Sequence, residues 1–284
     1  MKLFVTGGTG FIGSHFLNLA LAEGHEVRAL RRRGSLPRVP LSHQPEWIEG
    51  DLEQAPEDAF AGSEVLVHLA ATGVSPVSTS WGECLRWNVN ASFRCWEKAI
   101  AAGVGHLVIC GSCFEYGRSG ERYDFIPIDA PLEPVGAYAA SKAAASVLAI
   151  GLANAGGAGV QILRPFHVYG EGQAGTQFWP ALRDAAFSGR DFPMTPGEQI
   201  RDFVSVDVVA SAFLNASLHR LTGGECRISN VGSGKPQSLL TFASEWWKTW
   251  KATGTINAGA LPYREKEVMR YVPRIDVKQT DASR

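Results

Sequence analysis

Hydrophobic positions along this chain fall in short continuous runs separated by amphipathic stretches. LFVT at 3–6, EVRAL at 26–30, VLVHLA at 65–70, HLVICGS at 106–112 and VQILR at 160–164 read as strands. Between them, 11–23, 83–102 and 138–154 read as helices. Strands that are apolar along their whole length belong in a parallel sheet covered by helices on both faces. The alternation therefore predicts an α/β fold built on a doubly wound parallel sheet, with ligands bound at the carboxyl ends of the strands. After residue 166 the rhythm loosens, Pro and Gly punctuate the stretch containing FWPALRDAAFSGRDF, and a second strand–helix group follows around 203–219. The segments 151–160 and 34–45 read as loops, the second as a mobile one.

Composition narrows the classes. A chain of 284 residues with 45% hydrophobic content buries a large core in one domain or in a domain with a smaller appendage. With 27 Lys and Arg against 28 Asp and Glu, nothing global points to a nucleic-acid or membrane partner, so an anionic ligand must be held by a local cluster. The five cysteines are an odd number, and three lie in apolar runs, which suits a reducing, cytoplasmic setting. The chain opens on a strand without a charged leader, and no apolar run approaches the roughly 20 residues a bilayer requires, so neither export nor membrane insertion is expected.

The opening LFVTGGTGFIGSHFLNLALAEG sets Gly7, Gly10 and Gly13 between the first strand and an amphipathic helix. Such a turn is tight, and the helix N-terminus it leaves, with Phe11 and Ile12, is bare enough to accept a pyrophosphate. Residues 1–165 thus read as a dinucleotide-binding domain of Rossmann type. Residues 166–284 read as a smaller, mainly substrate-binding lobe, with segments around 203–232 returning to the core. The second strand ends in Leu30 and is followed by Arg31, Arg32 and Arg33, where a domain preferring NAD places Asp or Glu on the ribose. Guanidinium forks match a 2′-phosphate, which favours NADP(H), with NAD(H) possible; the other reading of the run is a solvated basic loop. Asp51 and Leu52, which follow a short third strand ending near Glu49, are placed to border an adenine. Leu69, Ala70 and Ala71 end the fourth strand with side chains that let a cofactor approach the backbone.

Tyr138 and Lys142 stand one helical turn apart on one face. A neighbouring ammonium favours phenolate, lowering the Tyr pKa and making it a proton donor or acceptor at an alcohol or carbonyl. Ser112, just past the fifth strand, comes from the same sheet edge, where its hydroxyl would bond a substrate oxygen.

TGGTGFIG, GDL, HLAA, GSCFEYG, YAASK, LRPFHVYG, RDFVSVDVV and SNVGSG, in that order, resemble the extended short-chain dehydrogenase/reductase family of sugar-nucleotide epimerases, dehydratases and reductases, over nearly the whole chain. The resemblance implies that Ser112, Tyr138 and Lys142 are the catalytic triad. It also implies that Asn88 lies in the core beside the cofactor and active site, and that Arg201 and Arg264 hold the nucleotide and its diphosphate, the alternative being salt links to Asp202 or Glu267. Arg164 and Pro165 match the family's structural core. Three departures stand out. Cys113 and Phe114 occupy the places where 4,6-dehydratases of the family carry an Asp-Glu pair, and Glu115, one step later on a strand-like segment, is expected to point away. His167 replaces the usual Asn, so Cys113 and His167 join the substrate side, His167 either as a contact to the sugar or as a satisfied core histidine. The chain ends at Arg284, so part of the substrate lobe is expected to be trimmed.

The implied activity is NADPH-dependent reduction of the 4-keto group of a nucleotide-activated (6-deoxy)hexose, with the proton from Tyr138. Sugar-nucleotide 4-epimerisation is the alternative, and a non-sugar carbonyl reductase or a non-catalytic dinucleotide-binding protein are further ones. No metal is expected, and a homodimer through 83–102 and 138–154 is possible.

Overall fold

The computed structural model describes residues 1–74, 79–265 and 267–275. Seven parallel strands form the main sheet: β1 (Lys2–Thr6), β2 (Glu26–Arg31), β3 (Glu46–Glu49), β4 (Val65–His68), β5 (His106–Cys110), β6 (Gly159–Pro165) and, returning late in the chain, β10 (Cys226–Val231). Their order, β10-β6-β5-β4-β1-β2-β3, reverses direction between β1 and β4, the place where an open α/β sheet opens a ligand crevice. Helices α1 (Phe11–Ala22) and α6 (Val206–Leu218) cover one face; α3 (Ser92–Ala101) and α4 (Ala137–Asn154) cover the other. Two core clusters form beneath them, one centred on Phe4, Phe60, Trp96 and Leu107, the other on Val5, Phe16, Val108 and Phe213.

The remaining elements gather beside the carboxyl edge. Strands β7 (His167–Tyr169), β9 (Ile200–Ser205), β11 (Pro236–Ser238) and β13 (Arg270–Tyr271) form a four-stranded sheet. β8 (Phe192–Met194) pairs with β12 (Ile256–Ala258), and α5 (Phe178–Phe187) and α7 (Leu239–Thr249) pack together through Leu182, Ala185, Ala243 and Trp247.

Three local expectations are corrected. The strands read as 65–70 and 106–112 end at His68 and Cys110, because the residues beyond leave the ladder to build the crevice. The helix read as 83–102 is broken into a short α2 (Trp81–Cys84), a π-helical stretch at Leu85–Ala91, and α3. The wide turn rotates Asn88 inward, a use of π geometry common at functional sites. The loop at 34–45 is pinned to α1: Asn18 Nδ2 donates to Pro40 O at 2.9 Å, Asn18 Oδ1 accepts from Ser42 N–H at 2.9 Å, and Val39 is buried.

Candidate active site

At the crevice, Gly7 adopts φ +72°, and a Cβ there would fall 2.5 Å from Ala70 N. A Cβ on Gly13 would fall 2.0 Å from Gly7 O. The glycines therefore let the first turn close onto the Leu69–Ala70 backbone and let α1 start directly against it. Gly10 is the N-cap and carries no side-chain cap, and the first turn holds no acid. The N–H groups of this turn and the positive end of the helix dipole are left facing the crevice, which suits a pyrophosphate. The nearest polar pair is inward: Thr6 Oγ1 and His68 Nδ1 lie 2.8 Å apart, and His68 Nε2 meets Ser92 Oγ at 3.0 Å. Burial drives the His68 pKa down to about 3, with Lys142 adding to the effect, so this ring is a neutral structural tie between β1, β4 and α3.

Asn88, 2% exposed, spends its whole amide on the structure. Its Oδ1 accepts from Thr72 N–H at 2.8 Å; its Nδ2 donates to Thr72 O at 3.0 Å and to Ser141 Oγ at 2.9 Å. It thus acts on the crevice through Thr72, fixing the segment after Ala71 to α4, instead of offering its amide to a ligand. Asp51 Oδ1 likewise closes its own turn, accepting from Glu53 and Gln54 N–H at 2.9 Å each, above the buried Leu52. Arg31 lies over the Trp47 ring at 4.8 Å and 3.5 Å from Glu49, its Nε without a hydrogen-bond partner among the described residues, while Arg32 and Arg33 are exposed.

Ser112, Tyr138 and Lys142 converge where β5 ends against the start of α4. Ser112 is 6% exposed and Lys142 3%. Lys142 Nζ donates to Cys110 O, locking α4 to the strand end. Tyr138 is partly exposed to the crevice, with the Ser112 hydroxyl beside its phenol. The expected lowering of the Tyr138 pKa is reversed: burial raises it, the neighbouring Cys110, Cys113 and Glu115 add to the rise, and the nearby Ser112 hydroxyl only partly opposes them. The Lys142 ammonium is turned to the Cys110 carbonyl, and the buried phenol holds its proton at neutral pH.

Glu115 does not point away. The segment after Ser112 is a 3₁₀ turn, not a strand, and it folds Glu115 back to 0% exposure. Its Oε1 accepts from Ser112 N–H at 2.7 Å, and its Oε2 accepts from Arg164 Nε at 2.9 Å. The S-x-x-E spacing of a capping box, Ser112 to Glu115, was the available signal. Cys110 and Cys113 stand at C-x-x-C spacing around Ser112, a pair that a count of cysteines overlooks. They pack against different core clusters as free thiols, and burial pushes Cys113 up to about 12, so it exchanges no proton near neutrality.

Across the crevice, the Phe114 ring, 51% exposed, lies 6.5 Å from Tyr138 and 6.4 Å from His167, edge-on to both. His167 meets Phe203 at 6.1 Å, and Phe203 stacks on Phe242 at 3.9 Å. Among the described residues, the buried Nδ1 of His167 has no hydrogen-bond partner. Burial, helped by Arg201, lowers its pKa to about 3, so it is a neutral ring and not a satisfied core histidine. Phe203, inside the RDFVSVDVV motif but given no role there, joins this wall. Arg201 is largely committed: Nη2 donates to Val268 O at 2.6 Å and meets Glu267 at 3.3 Å, and Nη1 donates to Ile200 O at 3.0 Å. Asp202 instead accepts from Ser233 and Gly234 N–H at 2.6 Å each. Arg264 is exposed and has no ion pair among the described residues.

A family model described as NAD dependent epimerase/dehydratase family matches residues 3–232. A UDP-glucose 4-epimerase of Corynebacterium glutamicum is 30% identical over 259 residues, 84% of this chain and 77% of that protein. A CDP-abequose synthase of Salmonella muenchen is 27% identical over 94% of this chain and 87% of its own length. The solved structure of MoeE5 in complex with UDP-glucose and NAD superposes with a TM-score of 0.83 at 30% identity, covering 99% of this chain and 91% of that one.

Proposed function

Because the chain belongs to the NAD-dependent epimerase/dehydratase family of sugar-nucleotide enzymes, of the extended short-chain dehydrogenase/reductase type, we propose that it reduces the 4-keto group of a nucleotide-activated 6-deoxyhexose. The observation that carries this reading is the convergence of Ser112, Tyr138 and Lys142 at the crevice edge, where burial raises the Tyr138 pKa: a phenol that keeps its proton for donation, beside a hydroxyl able to hold the carbonyl oxygen. Cys113 and Phe114, in the positions where a dehydratase acid and base would stand, offer no group able to exchange a proton.

The glycine cradle fits a dinucleotide, since any Cβ at Gly7 or Gly13 would fill the space against Ala70 N and Gly7 O, and the first turn of α1 offers uncapped N–H groups. When bound, the nicotinamide supplies the hydride. Residues Gly7, Gly10, Phe11, Ile12 and Gly13 would hold the pyrophosphate, Asp51, Leu52, Leu69, Ala70 and Ala71 would line the adenosine half and the crevice floor, and Lys142 would bond the nicotinamide ribose. Arg31 and Arg32 at the end of β2 support NADP(H), although Arg31 shares its charge with Glu49; NAD(H) is the cofactor named in the MoeE5 structure. In this division, residues 1–165 with the returning α6 and β10 carry the dinucleotide, and the rest of 166–284 takes the sugar nucleotide; of this lobe, 276–284 lie outside the described residues.

On the chain's side of the reaction, Ser112 holds the keto oxygen while Tyr138 passes it the phenolic proton. Phe114, His167 and Phe203 give the sugar an apolar wall with one neutral nitrogen, a surface better matched to a deoxy sugar than to a fully hydroxylated one. Arg264, and the donors left on Arg201, would meet the diphosphate. Exposed Trp81, Leu85, Val147 and Leu148 on the α2–π segment and α4 support self-association into a dimer through those helices. The free thiols support a cytoplasmic setting, and no described helix is long and apolar enough to cross a membrane.

A second reading, 4-epimerisation, is favoured by the named activity of the Corynebacterium relative. Absorbance of NADPH or NADH with a panel of 4-keto-6-deoxy sugar nucleotides, run beside an interconversion assay on unmodified UDP-sugars, separates the two. Stoichiometric cofactor oxidation supports the reductase; interconverted sugars without net oxidation establish the epimerase instead.

A further inference from the structure

Beneath Ser112 lies a charged pair that the proton transfer itself does not use. Glu115 is 0% exposed, and Arg164 is 2% exposed. A buried ion pair is a poor source of stability, because desolvation consumes most of its attraction. What it supplies is fixed geometry, and here the pair anchors a chain of hydrogen bonds. Glu115 Oε2 takes Arg164 Nε at 2.9 Å; Arg164 Nη1 donates to Tyr116 OH at 3.0 Å; Tyr116 OH donates to Asn230 Oδ1 at 2.7 Å; and Asn230 Nδ2 donates to Ile126 O at 3.2 Å. The network ties β5, β6 and β10 together at their carboxyl ends. One arm leaves it for the crevice: Glu115 Oε1, which accepts from the backbone N–H of Ser112 at 2.7 Å.

The approach is tight enough to constrain the neighbouring residue. A Cβ on Gly111 would fall 2.8 Å from Glu115 Oε1 and 3.1 Å from Arg164 Cγ, so residue 111 must be glycine for the carboxylate to reach back. The Ser112 side chain faces the other way in the same motif, where its Oγ accepts from Phe114 N–H at 3.3 Å. Holding the Ser112 backbone from below therefore sets the direction of its hydroxyl toward Tyr138.

We propose that Glu115, braced by Arg164, is the positioning residue of this site: its carboxylate holds the Ser112 main chain so that the Ser112 hydroxyl meets the substrate oxygen beside Tyr138. The role rests on the reading of Ser112 and Tyr138 given above, and it concerns the acceptor offered to Ser112 N–H, not the charge as such. That distinction sets the experiment. Two double variants each remove both charges: Glu115→Gln with Arg164→Gln keeps an amide oxygen for Ser112 N–H, and Glu115→Val with Arg164→Met does not.

The expected result is a split. The Gln/Gln protein keeps kcat within about 3-fold, whereas the Val/Met protein loses on the order of 10- to 100-fold in kcat at unchanged KM, the size of effect that slight misplacement of a reacting group produces. In a Ser112→Ala background, the Val/Met pair should cost nothing further, because the group it positions is gone. Gly111→Ala, which displaces the carboxylate without altering its charge, gives an independent route should the Val/Met protein not fold, and lowers kcat in the same way. Equal kcat in the two double variants, full additivity with Ser112→Ala, or a wild-type kcat in Gly111→Ala would overturn the proposal. If the wild-type protein turned over no nucleotide sugar at all, the functional reading would fail alone. Hydrogen exchange of the Ser112 amide would then decide the positioning role, with exchange sped up at least about 10-fold in Val/Met but not in Gln/Gln supporting it, and equal exchange in both refuting it.

Discussion

The two walls of the crevice are made in different ways. The wall proposed for the cofactor is backbone: Gly7 against Ala70, Gly13 against Gly7, bare N–H groups at the start of α1, and side chains such as Asn88 and His68 turned inward to hold it. The wall proposed for the substrate is side chain: Phe114 from the turn after β5, His167 from β7 and Phe203 from β9. A backbone wall tolerates almost no substitution and serves any ligand with the same diphosphate. A side-chain wall can be exchanged one residue at a time, which is how one family acts on different sugars.

The sharpest way to test that contrast is at the seam. Tyr138→Phe should leave the fold and cofactor binding intact and lower turnover by about 10²- to 10⁴-fold, the usual effect of losing a general acid. A cofactor titration run beside the rate assay checks both halves. On the cofactor wall, Gly13→Ala forces a Cβ into the space 2.0 Å from Gly7 O. Dinucleotide affinity should fall by on the order of 10²-fold, roughly 3 kcal/mol, by fluorescence or calorimetric titration. An unaffected affinity would show that this wall is softer than its geometry implies.

Protons give a comparison that spans both walls. His68 and His167 are each held neutral, with pKa values lowered to about 3 by burial. An unfolded histidine titrates near 6.5, so between pH 6.5 and 3 the unfolded chain binds protons that the native one does not. Stability is therefore complete above pH 6.5 and is lost as the pH falls through that window. For fully buried His68 the loss is about 2 kcal/mol by pH 5. Urea unfolding at pH 7 and pH 5, with His68→Gln flattening the difference, checks the sign. The smallest effect belongs to the substrate side: Arg264→Ala should raise KM for a diphosphate-bearing substrate by about 10-fold, the value of one charge-assisted hydrogen bond, while leaving a small neutral carbonyl compound untouched.

The same contrast explains what could be read from the residues in order. Gly7, Gly10 and Gly13 are legible because a backbone wall is written locally, in one turn between a strand and a helix. Tyr138 and Lys142 are legible because helical spacing sets their common face. Glu115 was misread because its direction depends on whether residues 113–115 extend a strand or turn, and the partner that decides it, Arg164, lies 49 residues away. The direction of the Tyr138 pKa is not legible because burial of the phenol, the main cause of its rise, is set by the folded crevice, and the Lys142 ammonium bonds the Cys110 carbonyl, which no spacing reveals. The meeting of Phe203 with His167, whose Nδ1 has no hydrogen-bond partner among the described residues, emerges only when β7 and β9 pair.

The most direct measurement is the fate of a label. Purified protein would be given NADPH carrying deuterium at the transferable position together with a 4-keto-6-deoxyhexose nucleotide, and the products read by mass spectrometry and NMR. One deuterium at C4 of the sugar for each NADP⁺ formed is the predicted result. Sugar interconverted without label and without NADP⁺ would contradict net reduction and leave the epimerase reading in its place.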